Sequence, residues 1–309
     1  MKIIQGSLDF ELNKDTAVAI GKFDGLHLGH RKLLEAVLEK KKQGLLACVL
    51  TFDPSPSVFF GFTDGYEINT REEKRALFET LGVDVLVEFP MRTETAKMPP
   101  EVFVEDILVK RMHTKWMIAG RDVSFGDKGA GNATLLEQLS SVYHYELVTI
   151  DKVQYEGEDI SSTRIRKCLE KGQMDYVERL LGMSYSICGT VVHGRALGRK
   201  LGMPTVNIVP GENKLLPPCG VYFSEVVLEG KIYPAISNIG YKPTVNEEKM
   251  LGVETYLYDF NENIYEKEIC VRLLSYKRPE MQFATIEELK KQMAEDIRTG
   301  KDFHMGKKR

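Results

Sequence analysis

The chain is short of the residues that mark a specialised environment. Its five cysteines, Cys48, Cys168, Cys188, Cys219 and Cys270, are scattered and never form a CxxC pair. That spacing excludes a zinc knuckle, and with an odd count it argues for free thiols in a reducing compartment rather than a disulfide framework. Apolar runs such as Leu45–Leu50 fall far short of the ~20 residues a spanning helix needs. The start, Met1-Lys2-Ile3-Ile4-Gln5-Gly6, turns polar at once and lacks the apolar core of a signal peptide. A cytoplasmic location away from membranes is expected. Charge of one sign is also missing: 42 basic residues face 45 acidic ones, a net of −3. General nucleic-acid binding is therefore not expected, and anionic substrates must be held by local groups. There is no internal repeat, no low-complexity tract and no GxxxxGK[ST] phosphate loop.

What is present suits two packed domains: 309 residues, 43% of them hydrophobic. Up to about residue 150, strand-like segments (17–20, 45–52, 83–89, 115–119, 145–150), the first two apolar, alternate with amphipathic helices (31–42, 70–81, 100–112) and a fourth helix capped by Thr134 and Glu137. This pattern predicts an α/β doubly wound parallel sheet. Two short helices near 162–171 and 175–181 end at Gly172 and Gly182. From Tyr185 the texture changes to short strands separated by Gly, Pro and Asn, which predicts a small antiparallel β-barrel. A last helix, 285–299, has a Thr285/Glu288 capping box and Gly300 as its expected stop. The domain boundary is placed near residue 184, giving domains 1–183 and 184–309.

Between the first strand and the first helix lies Gly21-Lys22-Phe23-Asp24-Gly25-Leu26-His27-Leu28-Gly29-His30. Free N–H groups at a helix N-terminus attract phosphate. Gly25 and Gly29 allow close approach to the backbone. His27 and His30, three apart, can share one side of a helical turn and donate to charge developing on a phosphate. Taken alone, the same segment also fits a glycine-rich turn with two surface histidines. A later segment, Ile160-Ser161-Ser162-Thr163-Arg164-Ile165-Arg166, opens a helix with hydroxyls and arginines suited to an anion, or to a plain N-cap with solvated cations.

The second half carries Gly189–Asn207, dense in glycine (Gly194, Gly198, Gly202) and in basic residues (Arg195, Arg199, Lys200). Such a loop can close over a phosphate chain. Thr205 and Asn207 are two apart, face the same way in a strand, and offer the hard oxygens that Mg²⁺ takes. Strand alternation puts Glu254 on the side of Tyr256 and Tyr258, where a carboxylate can act as a base. As an isolated feature it equally fits a solvated strand residue.

The pairing of GKFDGLHLGH with ISSTRIR, with Gly120-Arg121-Asp122-Val123-Ser124-Phe125-Gly126 between them, resembles the prokaryotic bifunctional riboflavin kinase/FMN adenylyltransferases. Their first domain is an HxGH nucleotidyltransferase. VVHGRALGRKLGMPTVN, PPCGVY, NIGYKPTV, VETYLYDF and KRPEMQF resemble the riboflavin kinase domain, a small barrel with a C-terminal helix. The resemblance implies ATP as co-substrate, Mg²⁺ as cofactor, and riboflavin, FMN and FAD as substrates or products. In the first domain it assigns the ATP phosphates to His27 and His30, with Ser162, Thr163 and Arg166 clamping them. Gly21, Phe23, Gly25 and Gly29 form the loop, Asp122 lies near the nucleotide, and Asp24 contacts the ribose or holds the loop. In the second domain it implies Glu254 as base, Thr205 and Asn207 as Mg²⁺ ligands, a phosphate-covering loop of Gly194, Gly198, Arg199, Lys200 and Gly202, and Arg278 at the flavin. A monomer or weak homo-oligomer is expected. The sequence departs from the family pattern at Ser55, often His; at Val206, usually Ala in the PTAN motif; at Met203; and at Glu266, usually Gly. The alternatives are a chain in which only adenylyl transfer survives, a non-catalytic flavin binder, and a pantetheine-phosphate or nicotinamide adenylyltransferase. The kinase-like half weighs against this last pair.

Overall fold

In the computed structural model the described residues are 1–194, 198, 202–243 and 249–307. Arg199 and Lys200, expected in the phosphate-covering loop, lie outside them. The chain divides into two compact units, Met1–Ser162 and Thr163–Arg309.

The first unit is built on six strands: β1 (Lys2–Gln5), β2 (Thr16–Ile20), β3 (Leu46–Asp53), β4 (Val85–Pro90), β5 (Thr114–Gly120) and β6 (Glu146–Ile150). They pair in parallel in the order β1-β4-β3-β2-β5-β6, the doubly wound sheet expected from the alternation. Successive side chains point to opposite faces, so each central strand feeds two cores. Val18, Ile20, Cys48 and Leu50 enter one with Phe89 and Phe103. Ala17, Ala19, Ala47 and Val49 enter the other, against Leu33, Leu34 and Val37 of helix α1 (Leu28–Lys41) and Phe78 of α2 (Arg71–Leu81). Burial on both faces explains why these strands read as unbroken apolar runs. The capping box at Thr70 and Glu73 forms as expected.

One strand was not expected, and two local expectations need correction. Strand β1 went unread because it is a four-residue edge strand in which only Ile4 is buried. The fourth helix, α3 (Ala133–Tyr143), is capped by Asn132, whose Oδ1 accepts from Leu135 N at 3.0 Å, and not by Thr134. The helix expected over 100–112 is wound as a π-helix from Phe103 to Arg111. A small antiparallel pair, β7 (Gln154–Tyr155) and β8 (Glu158–Asp159), closes the unit.

The second unit takes in α4 (Ser162–Glu170) from Thr163 onward, and then α5 (Met174–Leu181). It continues as β9 (Tyr185–Val192), β10 (Val206–Ile208), β11 (Gly220–Leu228), β12 (Lys231–Pro243), β13 (Lys249–Leu257) and β14 (Glu268–Arg278). These six strands form a closed barrel in the order β10-β13-β12-β11-β14-β9. Helix α5 packs against β14 and β9. The final helix, α6 (Ile286–Lys307), runs straight through the Gly300 that was expected to stop it. A Cβ at Gly300 would collide with the hydroxyl of Tyr258, so the glycine makes room for that ring inside the helix.

The cysteine expectation also fails in part. Cys188 and Cys270 are joined by a disulfide, while Cys48, Cys168 and Cys219 are free. The two are direct cross-strand partners in the β9–β14 register, a proximity that 82 residues of sequence separation conceal. Among the described residues no helix is long and apolar enough to cross a membrane.

Candidate active sites

The first site grows from the C-terminal end of β2. The strand order reverses at β2, with β3 and β4 on one side and β5 and β6 on the other. A parallel sheet leaves its binding crevice at such a point. The loop from Gly21 to His27 makes its turn with three residues at positive φ: Phe23 (49°), Gly25 (88°) and Leu26 (39°). Only glycine takes that conformation freely. Gly25 is also pressed close to its neighbours, since a Cβ there would sit 3.0 Å from Ile68 Cδ1. Phe23 and Leu26 hold their strained backbone because both side chains are fully buried in the core beneath. The Phe23 ring packs edge-on against Phe78 at 5.5 Å and lies 5.1 Å from His30.

Asp24 fastens the loop from both ends. Its Oδ1 accepts from Ile68 N at 2.8 Å, and its carbonyl accepts from Ser162 Oγ at 2.8 Å. Of the two contacts expected of Asp24, this geometry supplies the one that holds the loop.

His27 is the N-cap of α1, and its Nδ1 accepts from His30 N at 3.3 Å. The acceptor role at Nδ1 leaves Nε2 as the protonated nitrogen of the neutral ring. The two imidazoles stack 3.7 Å apart at 16°. Both are kept neutral. Burial draws His27 down to about 4, against the opposing fields of Asp24 and Asp122. Burial, and then the neighbouring His27, hold His30 well below the ordinary imidazole value. His30 Nδ1 is buried without a protein partner among the described residues. The first N–H groups of α1 have no intrahelical acceptor. A neutral Nε2–H and open helix N–H groups are donors that an anion can accept from. Asp122 follows β5, is exposed, and stands 3.3 Å from Lys152 Nζ. Thr163 and Arg166 lie on α4 of the second unit.

The second site is a cavity of about 380 Å³ against the barrel, lined in part by Gly198, Thr205, Asn238, Glu254, Tyr256 and Arg278. The alternation in β13 is as expected: Val253, Thr255 and Leu257 are buried in the barrel, while Glu254 and Tyr256 face the cavity. Tyr258 departs from it, being buried against α6. Thr205 Oγ1 donates to Glu254 Oε1 at 2.5 Å. Asn207 pairs with Glu254 across the β10–β13 ladder and is 8% exposed. Gly194 sits so close that a Cβ there would press on the side-chain amide of Asn207, which would have to shift. Gly202 has a φ of +79°.

Arg278 reaches this cavity but is bound to Asp296 of α6, with NH2 2.5 Å from Oδ2 and Nε 3.2 Å from both oxygens. Asp296 was not among the expected site residues. Its signal was a carboxylate on the inward face of the final helix, in step with the cavity-lining Leu289, Met293 and Ile297. Asn238, opposite Glu254 in the β12–β13 register, was missed because only pairing brings it there.

Comparison with known proteins agrees with this division. The family model for FAD synthetase matches residues 9–164, and that for riboflavin kinase matches residues 181–304. The bifunctional riboflavin kinase/FMN adenylyltransferase of Listeria monocytogenes is 35% identical over 93% of this chain and 91% of its own. The Escherichia coli protein of the same description is 34% identical over 98% of each chain. A crystal structure described as a macrolide-efflux protein from Streptococcus pneumoniae superposes with a TM-score of 0.83 at 29% identity, covering 97% of this chain and 98% of that one.

Proposed function

The chain belongs to the family of bifunctional riboflavin kinase/FMN adenylyltransferases, and from that premise we propose which residues perform each of its two reactions. The protein phosphorylates riboflavin to FMN with ATP, then adenylylates FMN with a second ATP to give FAD and pyrophosphate.

The kinase reaction is assigned to the barrel cavity, and the contact between Thr205 and Glu254 carries that reading. Glu254 takes the proton of the ribityl 5′-hydroxyl as its oxygen bonds to the γ-phosphorus and ADP leaves. Thr205 orients the carboxylate. Arg278 meets the flavin, and Gly194, Gly198, Arg199, Lys200 and Gly202 belong to the loop covering the phosphates. The oxygen donors of Thr205 and Asn207, set beside a carboxylate, fit Mg²⁺, which binds few protein oxygens and completes its shell with phosphate and water. The ion would neutralise phosphate charge.

Adenylyl transfer is assigned to the histidine pair. An FMN phosphate oxygen attacks the α-phosphorus of ATP and pyrophosphate departs, so no protein nucleophile is needed and positioning dominates. His27 Nε2–H and the open N–H groups of α1 donate to phosphate oxygens. The nucleotide roles of Gly21, Asp122, Ser162, Thr163 and Arg166 follow the family resemblance. We keep the domain boundary near residue 184, supported by the start of the riboflavin kinase match at residue 181. We further read the protein as cytoplasmic and as a monomer or weak homo-oligomer.

The deciding experiment separates products by chromatography after incubation with riboflavin, ATP and Mg²⁺. Wild type should yield FMN and FAD, Glu254→Ala should yield neither from riboflavin but still convert added FMN to FAD, and His30→Ala should stop at FMN. Loss of both reactions in either variant would contradict the division.

A further inference from the structure

Strand β14 is irregular where it meets the cavity. Tyr222 pairs with Tyr276, but Val221 pairs with Arg278, so Lys277 is an extra residue in the ladder. In a regular strand, neighbours 277 and 278 point to opposite faces. A bulge of this kind re-aims side chains. Here it turns both cations onto one carboxylate: Lys277 Nζ lies 2.8 Å from Asp296 Oδ1, and the Arg278 guanidinium grips the same group. Gln292 Nε2 donates to Asp296 Oδ1 at 3.0 Å. Asp296 is 4% exposed. Burial works to raise its pKa, yet the bonds from Arg278, Lys277 and Gln292 prevail and hold it below the usual carboxylate range.

This is more than a strut between helix and barrel. Arg278 and Asp296 both line the cavity, and they do so on the side of the apolar α6 residues Leu289, Met293 and Ile297. Arg278 also donates from NH1 to the Pro279 carbonyl at 2.9 Å, so its plane is fixed by two acceptors. A guanidinium has five N–H donors in a rigid fork, and further donors remain for an occupant of the cavity.

We propose that Asp296, acting through the bulge at Lys277, is a positioning residue for riboflavin phosphorylation: it locks the Arg278 guanidinium in the orientation that receives the polar edge of the flavin. The inference rests on the reading of this cavity as the kinase site. Asp296 need not touch the substrate. Its removal leaves two adjacent cations without their shared acceptor, and Arg278 loses its orientation.

The test is a double-mutant cycle on the full chain, using Asp296→Asn, Arg278→Lys and the pair, with KM for riboflavin, kcat for FMN formation and FMN-to-FAD conversion read separately. Each single substitution should raise KM about tenfold or more, as expected for losing an oriented charge-assisted contact, with kcat nearly unchanged. The double variant should be no worse than the poorer single one. Conversion of added FMN should persist, showing that the chain is folded. Should Asp296→Asn fail to fold, Asp296→Glu keeps the charge, displaces it by one methylene, and should show the same rise in KM. Additive effects, or a normal KM in the Asp296 variants beside a raised one in Arg278→Lys, would overturn the positioning role. If Arg278→Lys and a Tyr256→Ala control both left riboflavin KM and turnover untouched, the cavity assignment itself would fall, and the inference with it.

Discussion

Thr205 Oγ1 donates to Glu254 Oε1 at 2.5 Å, joining the residue before β10 to the middle of β13. A donor this close keeps one carboxylate oxygen occupied and aims the other. Glu254→Gln preserves the shape and removes the proposed base. FMN formation should drop about 10²–10⁴-fold, the usual scale of general-base catalysis. Thr205→Val should lower the same rate by a smaller factor, and both variants should adenylylate added FMN at wild-type rates. Steady-state assays of the two half-reactions check this.

The stacked imidazoles predict the complementary loss. His27→Ala removes the Nε2–H donor together with the cap on His30 N. FAD formation from FMN should fall about 10²–10³-fold, the cost of one preorganised donor. Riboflavin phosphorylation, in the other unit, should stay within twofold. Equal loss of both reactions would point to misfolding instead.

The buried histidines also set a pH dependence of stability. His27 titrates near 6.5 when unfolded and about 4 when folded, so between these values the unfolded chain binds the proton that the folded one refuses. Stability contributed by the neutral ring is fully present above pH 6.5 and is lost as pH falls toward 4, by roughly 2–3 kcal/mol. Urea denaturation at pH 7.5 and pH 5 should show this decline in wild type and a shallower one in His27→Gln. An identical decline in both would remove His27 from the account.

Gly300 predicts a packing defect. In Gly300→Ala the new methyl meets the Tyr258 hydroxyl, and overpacking of this kind costs about 1–3 kcal/mol despite alanine's better helix propensity. Thermal unfolding should show a lower Tm, and Tyr258→Phe should restore part of it. A higher Tm in Gly300→Ala would show that the helix end yields.

Much of this was legible because one residue's neighbours dictated it. The doubly wound sheet followed from strand-like segments such as 45–52 and 83–89 alternating with amphipathic helices, a pattern that burial on both faces of the sheet explains. The placement of the two histidines was legible from a strand, a glycine turn and a helix start in succession. What escaped depends on partners distant in sequence. Register alone puts Cys188 opposite Cys270 and Asn238 opposite Glu254. Asp296 became visible only when a bulge turned two cations toward it. Gly300 was misread because a local stop signal and a steric requirement use the same residue.

Phe23 and Leu26 hold the loop before α1 in a shape that neither residue would choose, and the hydrophobic layer beneath supplies the restraint. On the proposed assignment the loop is already shaped before any nucleotide arrives, and association there would spend little entropy on ordering the backbone. It also makes the active site a gauge of the interior: a void opened beneath Phe23 would slacken the loop and slow adenylyl transfer at temperatures where the rest of the chain is still folded.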